Sequence, residues 1–260
     1  MTMRWLAARH SLWIEAAAVV ILYALYEATR GLVAGDPSAA VHHAQLIASY
    51  ERSAHIFAEA DVQHAAQAVP GLLHTLGLFY LTLHLGVTIV YLLWLHRRRP
   101  EAFPLVRTAL FAASALALIG YVVFPTAPPR MAALGIGDTI ARQGIDLNHG
   151  LISSLYNPFA AVPSIHICYA LIIGVSLVRF GRRRSLRVAG VLYPALVLTV
   201  VVATGNHFFF DALAGAAVAV VGMASATLVA RQPARARCAR PSTYRSISSS
   251  NLASASTNAN

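Results

Sequence analysis

Six stretches of this chain are apolar over roughly 17–25 residues, the length at which a helix crosses a bilayer. They fall at 11–29, 72–95, 105–124, 160–180, 186–204 and 208–230. The polar segments between them differ in kind. Those at 96–104 and 181–185 are short, while 30–71 and 125–159 are long. Within the first long segment, residues 39–69 contain no Gly or Pro and interleave Ile, Phe and Val with His, Glu and Gln. That mixture predicts one or two amphipathic helices lying along a membrane interface. The first apolar stretch follows Arg4 and Arg9, as a signal peptide would, but Glu15 interrupts it and Glu27 ends it without a small-residue cleavage site. It is therefore expected to be a span. The pattern predicts an all-α fold: a polytopic bundle of six transmembrane helices with an extracytoplasmic cap. Residues 1–232 form one membrane domain, and 233–260 an Arg- and Ser-rich cytoplasmic tail expected to be disordered.

Composition agrees. Hydrophobic residues make up 57% of the chain, charged ones only 12%, and the mean hydropathy is +0.60. A soluble domain is nearer one-quarter charged. The formal charge of +10 raises the question of nucleic acid, but every one of the 20 basic residues is Arg, set in short clusters between apolar runs. Their placement excludes a nucleic-acid surface and instead orients the bundle. Two Arg precede the first span, four lie at 97–107, five at 179–187 and five from Arg231 onward. The other side carries only Arg30, Arg52, Arg130 and Arg142. The positive-inside rule puts both termini in the cytoplasm and the long loops outside. Cys168 and Cys238 make no CxxC spacing, so neither a disulfide framework nor a structural metal site is expected.

Four short segments meet the membrane boundary on that outer side. They are 124–130 (Phe-Pro-Thr-Ala-Pro-Pro-Arg), 161–166 (Ala-Val-Pro-Ser-Ile-His), 204–207 (Thr-Gly-Asn-His), and Asp211. Pro163 suits the first turn of a helix. The Ser164 and Ile165 amides then become donors at a positive helix end, a site for phosphate. His207 and Asp211, four apart, share a helix face. The carboxylate can hold one imidazole nitrogen's proton and leave the other nitrogen as a nucleophile. Arg130 supplies a planar charged fork for phosphate oxygens.

Pro-Ser-x-His followed by His-x-x-x-Asp, with His166 and His207 41 residues apart, resembles the type 2 phosphatidic acid phosphatase superfamily. The fuller strings, Pro-x-Ala-Pro-Pro-Arg, Asn-Pro-x-Ala-Ala-x-Pro-Ser-x-His and Gly-Asn-His-x-x-x-Asp, resemble its bacterial branch related to inositol phosphorylceramide synthase. The likeness runs over about 71–220, with weaker echoes at Glu51 and Glu59. It implies a membrane phosphatase or head-group phosphotransferase acting on a lipid phosphate, with water or a polyol such as inositol as acceptor. It implies catalytic roles for His207 (nucleophile), His166 (general acid) and Asp211 (orienting His207). Arg130, Ser164 and Asn206 would bind the phosphate, with no metal and no cofactor. Two departures accompany it. The broader pattern has a Lys where Val123 stands and a Ser-Arg pair where Val200 and Val201 stand. Fewer cations would surround the phosphate.

The remaining polar residues carry blander expectations. His74 and His84 are expected to hydrogen-bond to neighbouring helices, and His42, His43, His55 and His64 to face water or head groups. Gly215 is expected at a close helix–helix contact. A non-catalytic transporter or binder of anionic lipids could use the same basic pocket, and turnover separates the two. Nothing in the sequence specifies the oligomeric state.

Overall fold

The computed structural model describes residues 36–139, 141 and 157–238, and four isolated positions (17, 20, 21 and 24) ahead of them. The expected first span, with Glu15 and Glu27, lies outside the described residues apart from those positions. Seven helices follow in order: α1 (Pro37–Ser53), α2 (Glu59–Gln67), α3 (Leu72–Arg98), α4 (Phe103–Val123), α5 (Ile165–Phe180), α6 (Arg184–Ala203) and α7 (Phe209–Cys238). A 3-10 turn at Pro129–Met131 lies between α4 and α5. Among the described residues there is no sheet, only an isolated parallel bridge between Thr126 and Ala160.

The outer faces of the long helices carry the signature of a membrane-embedded protein. Ile89 and Val90 on α3, Ile119 and Val122 on α4, Val191 and Leu192 on α6, and Leu213 and Val220 on α7 are all exposed. Contiguous apolar surface on this scale is not sustained in water. Three helices are long and apolar enough to cross a bilayer: α4, α6, and α7 over Phe209–Arg231. A fourth is reached by counting α3 as one span, although it bends by 50° between Thr82 and Leu85. The expected span at 160–180 forms a shorter apolar helix of 16 residues, because Ala160 to Ser164 stay non-helical and Ser164 serves as the N-cap of α5. At the other end of the chain, α7 continues past Pro233 to Cys238. The helix thus overruns the boundary expected at 232, where Ala, Arg and Gln, all good helix formers, continue the sequence. The rest of the expected tail, 239–260, lies outside the described residues.

The core is built by α4 against α7 and α5 against α6, with α5 also lying on α7. Polar residues inside it are paired. The Ser114 and Tyr169 hydroxyls lie 2.6 Å apart, and the Tyr91 hydroxyl bonds that of Ser176. At the end of the bundle where α6 stops and α7 starts, α1 and α2 pack inward. Ala40, Ala44, Ile47 and Ala48 of α1 are buried with Ala127, Ala132, Val162 and Phe208. The expected amphipathic helices are present, but their buried faces are docked on protein.

Candidate active site

The site begins where α5 begins. Ser164 is fully buried, and its hydroxyl accepts the Ile167 amide at 3.5 Å as the helix cap. The backbone N–H of Ser164 donates to the carbonyl of Asp211 at 3.0 Å, tying the start of α5 to the first turn of α7. Such close approach requires glycine on the facing helix. A Cβ at Gly215 would sit 2.3 Å from the Ser164 carbonyl oxygen. Gly215 therefore makes the helix contact expected of it. Two residues past the cap, the His166 ring stacks on Tyr80 of α3 with centroids 4.7 Å apart.

The second histidine enters from the turn between α6 and α7. Gly205 has φ +70°, in the left-handed region open to glycine, and a side chain there would also strike Ile136. This turn presents the Gly205 carbonyl to the Arg130 amide at 3.1 Å. His207 follows, 4% exposed, with Nδ1 3.2 Å from Oδ2 of Asp211. The same oxygen accepts the Phe208 amide at 3.0 Å, which fixes the carboxylate before the imidazole meets it. The His166 and His207 ring centroids are 5.5 Å apart.

Arg130 stands on the 3-10 turn that Pro128 and Pro129 start. Its guanidinium bonds Asn206 through Nη1 and Asp138 through Nε, the latter at 3.2 Å. With its side chain only 5% exposed, the fork is held in place. Asn206 is held in turn, donating to the Thr204 hydroxyl at 2.7 Å.

These groups line one cleft of about 310 Å³, counting the space that opens outward. Arg130, His166, Asn206 and His207 are on its wall together with Tyr80 and Asn157. Asp211 lies behind His207. Ser164 is not among the residues on the wall; its hydroxyl accepts the Ile167 amide and its own amide is given to Asp211. Pro163, expected within the first turn, precedes the cap instead. Of the two departures, Val123 is 74% exposed on the outer face of α4, and Val200 and Val201 are buried against apolar neighbours. Among the described residues, Arg130 is the one Arg on the wall of this cleft.

Several residues escaped the sequence reading. Asp138, which braces Arg130, sits in a loop with no pattern to mark it. Tyr80 looks like any span aromatic. His43, expected to face solvent, is half-buried, stacks on Phe124 at 4.1 Å, and places Nδ1 2.7 Å from the Pro125 carbonyl. His42, His55 and His64 are exposed as expected. His74 is exposed on α3, and the side chain of His84 lies outside the described residues.

Glu51 and Glu59, in the sequence only weak echoes of the family pattern, form with Gln63 a polar layer beneath the α6–α7 turn that the sequence did not show. Glu51 Oε1 accepts the Phe210 amide at 2.7 Å, and Glu59 Oε1 accepts the Phe209 amide at 3.0 Å. Gln63 accepts the Gly137 amide at 2.7 Å and donates to the Ala203 carbonyl at 3.3 Å. Burial, and then the neighbouring Glu59, push the Glu51 carboxyl up to about 8. Among the described residues, no three His, Cys, Asp or Glu side chains converge as a metal site.

A family model described as the PAP2 superfamily matches residues 45–225. No curated protein matches the chain, and no solved structure does.

Proposed function

Because the chain belongs to the PAP2 superfamily, whose members are usually phosphatases or phosphotransferases on phosphate-bearing substrates, we propose that it transfers the phosphoryl group of a membrane lipid through a phosphohistidine at His207. One observation carries this reading. His207, with Nδ1 held by Asp211, faces His166 across 5.5 Å in a cleft walled by Arg130.

The Asp211 carboxylate accepts the Nδ1 proton, so Nε2 carries the lone pair that attacks phosphorus. As the P–N bond forms and the bond to the leaving oxygen breaks, His166 gives that oxygen its proton. An acceptor O–H then loses its proton to His166 and its oxygen attacks phosphorus, which breaks the P–N bond. Arg130, held by Asn206 and Asp138, takes the equatorial oxygens with the amide that opens α5. The reading needs no metal, and activity should persist in a chelator. The acceptor is water or a polyol such as inositol.

The remaining features belong to the same proposal. Six spans place both termini in the cytoplasm and open the cleft to the outer leaflet, with α1 and α2 as its cap. The Arg clusters support that orientation: Arg98, Arg99, Arg182 and Arg183 gather at the opposite end of the bundle from the cleft.

The test is to trap the intermediate. Purified protein is mixed with a labelled lipid phosphate, with and without inositol, and quenched in alkali, where phosphohistidine survives. Label on His207, and turnover lost in His207→Ala with folding intact, are the expected results. Near-native turnover in His207→Ala rejects the mechanism, and binding without turnover in the wild type supports a lipid carrier instead.

A further inference from the structure

Glu51 and Glu59 have no part in the chemistry just described, yet among the described residues they are the most deeply buried acids outside it, at 2% and 0% exposure. They come from different helices, α1 and α2, and converge on the first turn of α7. Each spends one oxygen on an amide there, Glu51 on Phe210 and Glu59 on Phe209. Those amides would otherwise be unsatisfied donors at a helix N-terminus. The other oxygen of each carboxyl, Oε2, is buried with no donor facing it. No cation pairs with either group among the described residues.

Two ionised carboxylates cannot stay buried side by side in this way, because like charges sharing a site force one to keep its proton. A single proton between them resolves both problems. It supplies the missing donor, and it leaves one negative charge at the positive end of α7, where the helix dipole favours it. The third acid in range is Asp211 on α7, whose charge Glu51 also feels. Asp211 lies one residue beyond Phe210, so whatever holds those two amides also holds the carboxylate that orients His207.

We infer that Glu51 and Glu59 are positioning residues, sharing one proton in a clasp that fixes the first turn of α7 and sets His207 and Asp211 against His166. The clasp also couples α1 and α2 to the cleft, since its carboxyls cross from them to the helix carrying Asp211. This inference rests on the phosphoryl-transfer reading for its kinetic part only.

The experiment compares full-length wild type, Glu51→Gln, Glu59→Gln and Glu51→Ala in detergent. It reads kcat and KM on a lipid phosphate, and amide hydrogen exchange over 205–212 from pH 6 to 9, corrected for intrinsic rates. Gln keeps an acceptor for the amide and an N–H for the partner carboxylate. Both Gln variants should therefore stay within about threefold of wild-type kcat at pH 7. Glu51→Ala should lose about tenfold to a hundredfold in kcat with little change in KM, the range a small misplacement costs. Its exchange at Phe209 and Phe210 should quicken at every pH. Wild type should lose protection at those amides towards pH 9, when the shared proton leaves, while Glu51→Gln should not. If Glu51→Ala keeps wild-type exchange, the clasp is refuted. If Glu51→Gln loses protection at high pH as wild type does, the shared proton is refuted. Should no chain turn over a lipid phosphate, the functional reading fails, and the exchange data still decide the clasp.

Discussion

Removing the Arg130 guanidinium tests most directly whether the cleft handles phosphate. Its N–H donors engage Asn206 and Asp138, which aims the fork. A hydrogen bond to a charged group contributes about 1.5–3 kcal/mol net, and each 1.36 kcal/mol is tenfold in rate. One lost contact to a phosphate oxygen thus costs about tenfold to 150-fold, and a bidentate pair more than a hundredfold. Arg130→Ala should fall in kcat/KM by about a hundredfold or more. Arg130→Lys should recover only part of that, since an ammonium cannot meet Asn206, Asp138 and phosphate with one geometry. Asp138→Ala should cost about tenfold, and combining it with Arg130→Ala should add little, because Asp138 acts through the arginine. The assay is initial-rate release or transfer of phosphate from a lipid phosphate in detergent, with thermal stability matched across variants. Parity of Arg130→Ala with wild type would sink the reasoning, and full additivity with Asp138→Ala would show that the brace does something else.

Two further outcomes follow from the same structure. Ser164→Ala should lower the melting temperature, consistent with the roughly 0.5–2 kcal/mol a lost N-cap costs, while KM stays near wild type. A large rise in KM without a change in melting would return Ser164 to phosphate binding. Glu51 is raised from 4.5 to about 8 by burial and Glu59, so the folded chain binds more protons than the unfolded one between those values. Stability from this group is full below 4.5 and lost as pH rises through 8. One pKa unit is about 1.4 kcal/mol, so the dependence is a matter of kcal/mol. Melting curves of Glu51→Gln taken from pH 5 to 8.5 should be flatter than wild type, and parallel curves would contradict the shift.

Much of the site was legible because its chemistry is local in sequence. His207 and Asp211 are four apart on a helix face, and Pro-Ser-x-His marks a helix start by residue type alone. Arg130 and Asn206 sit in turns whose Pro and Gly residues announce themselves. What stayed hidden depends on contacts across long separations. Glu51 and Glu59 reach the α7 amides over 159 and 150 residues, and a Glu on an amphipathic helix looks like a solvated one until its partner is known. Ser164 shows the converse. Its residue type fits both a phosphate ligand and a cap, and only the structure shows the hydroxyl accepting the Ile167 amide as a cap does. The apolar runs predicted α4, α6 and α7 closely, whereas the run at 160–180 could not reveal that its first residues stay extended to meet Thr126.

The bond from the Ser164 amide to the Asp211 carbonyl has a consequence for how such a chain can diverge. Asp211 sets the orientation of one histidine through its side chain and, through its backbone, the position of the helix that carries the other. The separation of His166 and His207 is thus tied to a single residue's two ends. A lineage changing its phosphate-bearing substrate can leave that distance alone. The freedom to specialise lies in the surrounding scaffold, at positions of the 124–138 loop, α1 and α2 other than Arg130, Asp138, Glu51 and Glu59, whose side chains bond the site itself.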